Sequence, residues 1–443
     1  MAYIQGVGRG QGTLFPVTLE ELIPADHVCR VIDVFVQKLE MGRIGFLRAE
    51  AADTGRPPYD PRDLLRLYLY GYLHQIRSSR RLEHECKRNI EVMWLLGRLA
   101  PDHKSIAEFR RMHRDAVTLA GAELIRLARS VGLVRGEWVA IDGSKFRAVS
   151  SSESVHERKQ LERYLERMEE ADAEEEVEID SSAVASALEK LRQHPEPEAR
   201  FMRTRQGKVP AYNVQIAADS EHALIVAQTV NTDTTDHRSL VPMVEAAKEA
   251  VGEPGCLHVV ADTGYSSGEQ LEQCDAIGVV PHVPTNRTSN RQGDGNLFDR
   301  SQFVYDKDTD LFRCPAGQSL KRRGFQRDRK RVIYQASRQV CGQCPLKSQC
   351  TITRRRTVYR FLHEEALQRS QQNATVEAMR LRRSTVEYPF ALLKYGIFGH
   401  PRFLLRGLRG AQTEISLAVA AYNLKRMINV VGGARLIAHF ESA

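Results

Sequence analysis

Apolar positions recur at helical spacing through the first third of the chain. Leu64, Leu65, Leu67, Tyr68 and Tyr72 follow Asp60-Pro61, an N-cap residue with proline at the first helical position, and this predicts a helix opening there. The pattern breaks and restarts over Ile76 to Arg81, then continues from Leu82 to Leu96. Ser105-Ile106-Ala107-Glu108 has the form of a capping box and predicts a further helix through about Ser130. Residues 1–135 therefore read as a helical N-terminal unit. Short helices joined by a basic turn suit a DNA-binding helix-turn-helix; a plain bundle whose arginines face water fits the same pattern.

Beyond residue 136 the period changes. Trp138-Val139-Ala140-Ile141 and Val259-Val260-Ala261 are apolar runs, each followed by Asp and small residues, and they predict buried strands that open into loops. Tyr212 to Ala217 and Leu224 to Val230 alternate as strands do. Helices are expected over about 236–250 and 267–276, with a strand at 279–283. Residues 153–194 read as a helical hairpin, with Leu161, Leu165 and Met168 on one arm, Val184, Ala187, Leu188 and Leu191 on the other, and Asp180-Ser181-Ser182 at the turn. The resulting β-β-β-α-β-α-β series predicts an α/β fold with an RNase H-like core. The expected division is a helical N-terminal domain over 1–135, the first part of the core over 136–285 with the hairpin inserted at 153–194, a polar, Gly-rich, Cys-rich insertion over 286–360, and C-terminal helices over 361–443 that complete the core.

Charge adds a partner class. The 443 residues carry a formal net charge of +8 and a pI near 9.0, which suits a polyanion. Residues 153–178 are acid-rich, so the positive charge concentrates at Arg77, Arg80, Arg81, Lys87 and Arg88, at Lys321 to Arg331, at Arg354 to Arg360 and at Arg380 to Arg409. The first residues lack the basic start and apolar core of a signal peptide, and no apolar run approaches the roughly 18 residues of a membrane helix. A cytoplasmic, nucleoid-associated protein with reduced cysteines is the expectation.

Three carboxylates stand out. Asp142 and Asp262 end the two apolar strands, and Glu387 lies in a basic helical stretch. On an ideal helix Arg380, Arg383 and Lys394 fall within about 60° of Glu387, a face suited to holding a phosphate chain beside a metal ligand. Pro389 complicates this face, because it either kinks the helix or starts a new one. Two strand-end Asp and a helical Glu can converge on divalent cations that activate water or a hydroxyl against a phosphodiester.

These residues resemble the DDE transposases of bacterial insertion sequences, over nearly the whole chain. Gly55-Arg56-Pro57-Pro58-Tyr59-Asp60-Pro61-Arg62-Asp63-Leu64-Leu65 and Ile76 to Glu83 look like that family's N-terminal domain. Ile141-Asp142-Gly143-Ser144-Lys145 and Ala261-Asp262-Thr263-Gly264-Tyr265-Ser266 look like its first two catalytic blocks. Its third block, Tyr-x2-Arg-x3-Glu-x6-Lys, is matched by Arg383, Glu387 and Lys394, with Arg380 in place of the Tyr. The resemblance implies an RNase H-like core in which Asp142, Asp262 and Glu387 bind two Mg²⁺ (or Mn²⁺) ions. It also implies DNA contacts from Arg77, Arg80, Arg81, Arg88, Arg380, Arg383 and Lys394. The implied partners are transposon terminal inverted repeats and target DNA, engaged by a dimer or larger assembly. A metal-dependent nuclease that cuts without joining is the rival within enzymes; a catalytically inactive DNA-binding protein is the rival outside them.

Four of the eight cysteines, Cys314, Cys341, Cys344 and Cys350, cluster in the 286–360 segment. The x2 spacing of Cys341 and Cys344 suits a structural Zn²⁺ site, and four reduced thiols packing a small insertion fit equally. Cys29, Cys86, Cys256 and Cys274 are isolated and read as core or helix residues.

Overall fold

The computed structural model describes residues 18–49, 58–173, 181–194, 196–204, 207–252, 255–285, 297–327 and 330–442. Gly55-Arg56-Pro57 and the hairpin turn at Asp180 lie outside them. A mixed sheet forms the centre, built from β1 (Trp138–Arg147), β2 (Arg200–Thr204), β3 (Gly207–Asp219), β4 (Ile225–Asn231), β5 (Leu257–Val260) and β6 (Val279–His282). Along one edge β3 pairs antiparallel with β1; along the other it pairs with β2 and then β4. Beyond β1, β5 and β6 continue the sheet in parallel. Parallel neighbours need a crossover. The helices Leu240–Val251 and Gly268–Ala276 supply the connections into β5 and β6.

The two sheet faces separate by the strand period. Val139 and Ile141 enter the main core with the N-terminal helices. Ala140, Ala218 and Val260 face the other way and pack against Ala378 and Val386 of the helix Val376–Ala391. The C-terminal helix Leu408–Val431 packs against the helices Pro61–Leu73 and Arg114–Ser130 and against β4, and it also closes the β4 edge. Asn423 accepts from Ile225 N and donates to Ile225 O, each at 2.9 Å, and Val230 N donates to Gln412 Oε1 at 2.8 Å. An edge strand otherwise offers unpaired main chain for aggregation.

Several boundaries differ from the sequence reading. Asp60 caps Pro61–Leu73 as expected, its side chain accepting from Arg62 N at 2.8 Å. Further on, the cap is Asp102, which accepts from Lys104 N and Ser105 N; Ser105 to Glu108 lies inside the helix His103–Met112, and a separate helix runs Arg114–Ser130. An aspartate three residues upstream outcompetes the serine for the free amides. β1 does not end at Asp142. It runs five residues further because Gly143 to Arg147 pair with Gln215 to Ala211 of β3. Short, charged β2 carried no apolar alternation and escaped the reading. The helix Val376–Ala391 continues past Pro389, which is buried like Thr385, Val386 and Phe390, and a π-helical turn, Leu392–Ile397, follows. Packing against the sheet overrides the local preference there.

A second, all-antiparallel sheet lies between residues 304 and 361, in the order β11-β10-β9-β8-β7. Its strands are β7 (Val304–Asp306), β8 (Leu311–Arg313), β9 (Ser319–Gln326), β10 (Arg331–Gln335) and β11 (Thr357–Phe361). Phe303, Phe312, Leu320, Val332, Tyr334, Ala336 and Val358 form its small separate core. Among the described residues no helix is long and apolar enough to cross a membrane.

Candidate active site

β1 and β5 run side by side, with Ala140 opposite Val260 as their last parallel pair. Asp142 and Asp262 each stand two residues further on, so the register alone delivers both carboxylates to one end of the sheet. Asp262 caps the single turn Thr263–Tyr265, its Oδ1 accepting from Gly264 N at 2.7 Å. Asp142 Oδ1 accepts from Gly143 N at 2.9 Å.

The two acids meet on one cation. Arg382, on the sheet-facing side of Val376–Ala391, places Nη2 at 2.8 Å from Asp142 Oδ1 and 3.6 Å from Asp262 Oδ2. Its Nε is buried with no hydrogen-bond partner. Burial pushes the Asp142 carboxyl above its ordinary range; Arg382 pulls it back and the Asp262 charge pushes it further up. Two like charges with a shared cation between them form a site that accepts positive charge from outside.

Glu387 is not brought to this pair. It follows Arg382 by five positions, about 140° round the helix, and its side chain is exposed. Its neighbour Val386 packs with Ala140 and Val260, and Glu387, one position on, points away from that face. Arg380 and Arg383 are exposed as well, while Lys394 lies in the π-helical turn over the Phe390 ring at 5.4 Å.

The four earlier arginines divide. Arg80 and Arg81 project into solvent from the first turn of Ser79–Arg88. Arg88 pairs with Glu85. Arg77 is taken up inside the protein. Its Nη1 donates to Glu414 Oε2 at 2.9 Å and Arg402 O at 3.1 Å, its Nη2 to Phe398 O at 3.0 Å, and its guanidinium lies 4.4 Å from the Phe398 ring centroid. A side chain so engaged is a structural pin, which corrects its expected place on a DNA-facing surface.

A polar network backs the pair from the opposite sheet face. Asp236 Oδ1 accepts from Lys145 Nζ at 3.1 Å and from Asn213 Nδ2 and Gln215 Nε2 at 2.7 Å each. The buried Tyr265 hydroxyl donates to Gln215 Oε1. Burial, then the charges of Asp236, Asp142 and Asp262, hold that hydroxyl well above the usual phenol range.

Sequence reasoning passed over Arg382 and this network. The signal for Arg382 was available: Ala378, Thr385, Val386 and Pro389 mark a small or apolar face, and position 382 falls on it. No comparable signal marks Asp236, which sits in a polar loop before Leu240–Val251.

Cys314, Cys341, Cys344 and Cys350 line one small cavity of about 30 Å³, and Gln318 N donates to Cys314 Sγ at 3.3 Å. Cys314, Cys341 and Cys350 pack against the core of the second sheet. Among the described residues no group of three or more His, Cys, Asp or Glu side chains is arranged to hold a metal ion. Cys29, Cys86 and Cys274 are buried, as expected of core residues, whereas Cys256 is exposed.

Residues 17–112 match the family described as "Transposase domain (DUF772)", and residues 313–428 match "Transposase DDE domain". No curated protein matches the chain. Among solved structures, a piggyBac transposase synaptic complex with hairpin DNA aligns over 94% of this chain and 81% of that one, at 9% identity and a TM-score of 0.30; so low a score carries no argument.

Proposed function

We propose that this chain is a DDE transposase that cuts DNA at the ends of a mobile element and joins the freed ends to a target, a reading supported by the two transposase families matched over residues 17–112 and 313–428. The observation that carries the reading is the meeting of Asp142 and Asp262 on one guanidinium. Three antiparallel strands, β4-β3-β1, extended by parallel β5 and β6, support an RNase H-like core as its frame.

The residues present fit a hard divalent cation, Mg²⁺ or Mn²⁺. Two carboxylate oxygens already share one positive partner, and Mg²⁺ commonly takes only one or two protein carboxylates, with substrate phosphate and water completing its shell. Bound there, such an ion would lower the pKa of water and neutralise charge on the phosphoryl group. Asp142 and Asp262 hold it in this reading, and Arg382 yields its place between them. Glu387 is proposed as the third acid from its place in the family's third block, and in this reading it turns in from solvent to join the pair. Arg380 and Arg383, exposed on that helix, suit contacts to phosphate oxygens, as do Arg80 and Arg81 at the start of Ser79–Arg88. Hydrolysis and joining are both displacements at phosphorus, so neither step needs a covalent intermediate with the protein. Two element ends call for at least two copies of the chain.

The test is an assay with Mg²⁺ on DNA carrying the element's terminal inverted repeats. Cleavage plus joining is expected. Asp142→Asn and Asp262→Asn should each lower cleavage by about 10³-fold or more, equivalent to roughly 4 kcal/mol of barrier, while end binding persists. Cleavage without joining would favour a nuclease, and binding without cleavage by the unaltered chain would favour a DNA-binding protein. Wild-type cutting by Asp142→Asn would remove that residue from the chemistry.

A further inference from the structure

Both residues that follow the paired acids closely are glycines, Gly143 and Gly264, and neither needs a left-handed backbone. Space explains them. A Cβ on Gly143 would stand 2.4 Å from Gln215 Nε2 and 2.7 Å from Asp236 Oδ1. A Cβ on Gly264 would stand 2.8 Å from Asp262 Oδ1 and 3.7 Å from Asp236 Oδ2. The Asp236 carboxylate therefore lies close to the main chain just after each acid, Oδ1 beside Gly143 and Oδ2 near Gly264.

Its two oxygens are used differently. Oδ1 accepts three donors, from Lys145 on β1 and from Asn213 and Gln215 on β3. Gln215 carries the link onward, accepting the Tyr265 hydroxyl and so tying down the turn that Asp262 caps. Oδ2 lies near Gly264, in the turn that Asp262 caps. One carboxylate thus fastens β1, β3 and the turn after β5, the three segments whose relative placement sets the gap between Asp142 and Asp262.

We propose that Asp236 is a positioning residue of the proposed metal-dependent centre, acting through Gln215, Tyr265 and the backbone at Gly143 to fix the separation of Asp142 and Asp262. This rests on the functional reading above and adds a role outside its acid triad. The physical demand is strict, because a hard cation held by two carboxylates tolerates little change in their spacing. Groups that orient metal ligands from behind typically contribute 10–100-fold in metal affinity or activity.

The test measures Mn²⁺ binding to the full chain without DNA, by the electron paramagnetic resonance signal of free Mn²⁺, alongside end cleavage. Asp236→Asn keeps the shape and removes the charge. It should weaken Mn²⁺ binding by about 10–100-fold and lower cleavage similarly, with end-DNA binding within about twofold of the unaltered protein. Tyr265→Phe removes only the hydroxyl that Gln215 accepts and should weaken Mn²⁺ binding several-fold. It decides the matter if Asp236→Asn fails to fold. A folded Asp236→Asn, or failing that a folded Tyr265→Phe, that binds Mn²⁺ as tightly as the unaltered chain overturns the proposal. Asp142→Asn separates the two ideas. If Asp142→Asn also leaves Mn²⁺ binding untouched, the metal-dependent reading of the site fails first.

Discussion

Replacing Arg77 with alanine should destabilise the fold far more than it weakens DNA binding. Glu414 is fully buried in the helix Leu408–Val431, where one oxygen accepts from Leu404 N and Leu405 N at 2.7 and 2.6 Å and the other from Arg77. Without the guanidinium that carboxylate keeps only the weaker pull of Arg110, and Arg402 O and Phe398 O lose a donor. Breaking a buried pair from one side costs roughly 3–5 kcal/mol, mostly as the penalty of the charge left behind. Burial already raises the Glu414 carboxyl, and Arg77 opposes that shift, so the variant raises it further. A carboxyl with a folded pKa above its unfolded value takes up a proton on folding. Its contribution is full below the unfolded value and is lost as pH rises through the folded one. The deficit of Arg77→Ala should therefore be smaller at pH 5 than at pH 8. Adding Glu414→Gln should recover a large part of it. Urea denaturation followed by the fluorescence of Trp94 and Trp138 reads both effects. The reasoning is refuted if Arg77→Ala unfolds with the wild-type midpoint at pH 8, and doubly so if DNA affinity falls with a shallower salt dependence.

Asn423→Ala strips both main-chain groups of Ile225 of their partner and should cost roughly 1–3 kcal/mol in the same denaturation assay. Arg80→Ala with Arg81→Ala should leave stability unchanged but weaken end-DNA binding, flattening the log–log salt dependence by about 2; an unchanged slope places these arginines off the DNA. Gly143→Ala forces Gln215 and Asp236 apart from β1 and should lower end cleavage by about 10²-fold with the circular dichroism spectrum retained; full activity would show that the space beside Asp142 is not needed.

The chain's own pattern determined much of the centre. Val139-Ala140-Ile141 and Val259-Val260-Ala261 are apolar enough to be buried strands wherever they pair, and the acids that follow stand just past the buried run, Asp142 within β1 and Asp262 after β5. Once β1 and β5 lie parallel, both carboxylates reach the same edge. Strand period is a local property, and it survives without knowledge of partners.

Three-dimensional packing decided the rest. Arg380, Arg382 and Arg383 are equivalent as residue types, yet successive positions on a helix point about 100° apart. Only the docking of Ala378 and Val386 on the sheet selects Arg382 to face the acids and turns Glu387 toward solvent. Arg77 reads as a surface cation until the late helix brings Glu414 to it. Asp236 gains its place from strands β1 and β3, whose pairing brings Lys145, Asn213 and Gln215 to one point. Which face of an element meets which neighbour depends on long-range burial, and no local window of the sequence contains that term.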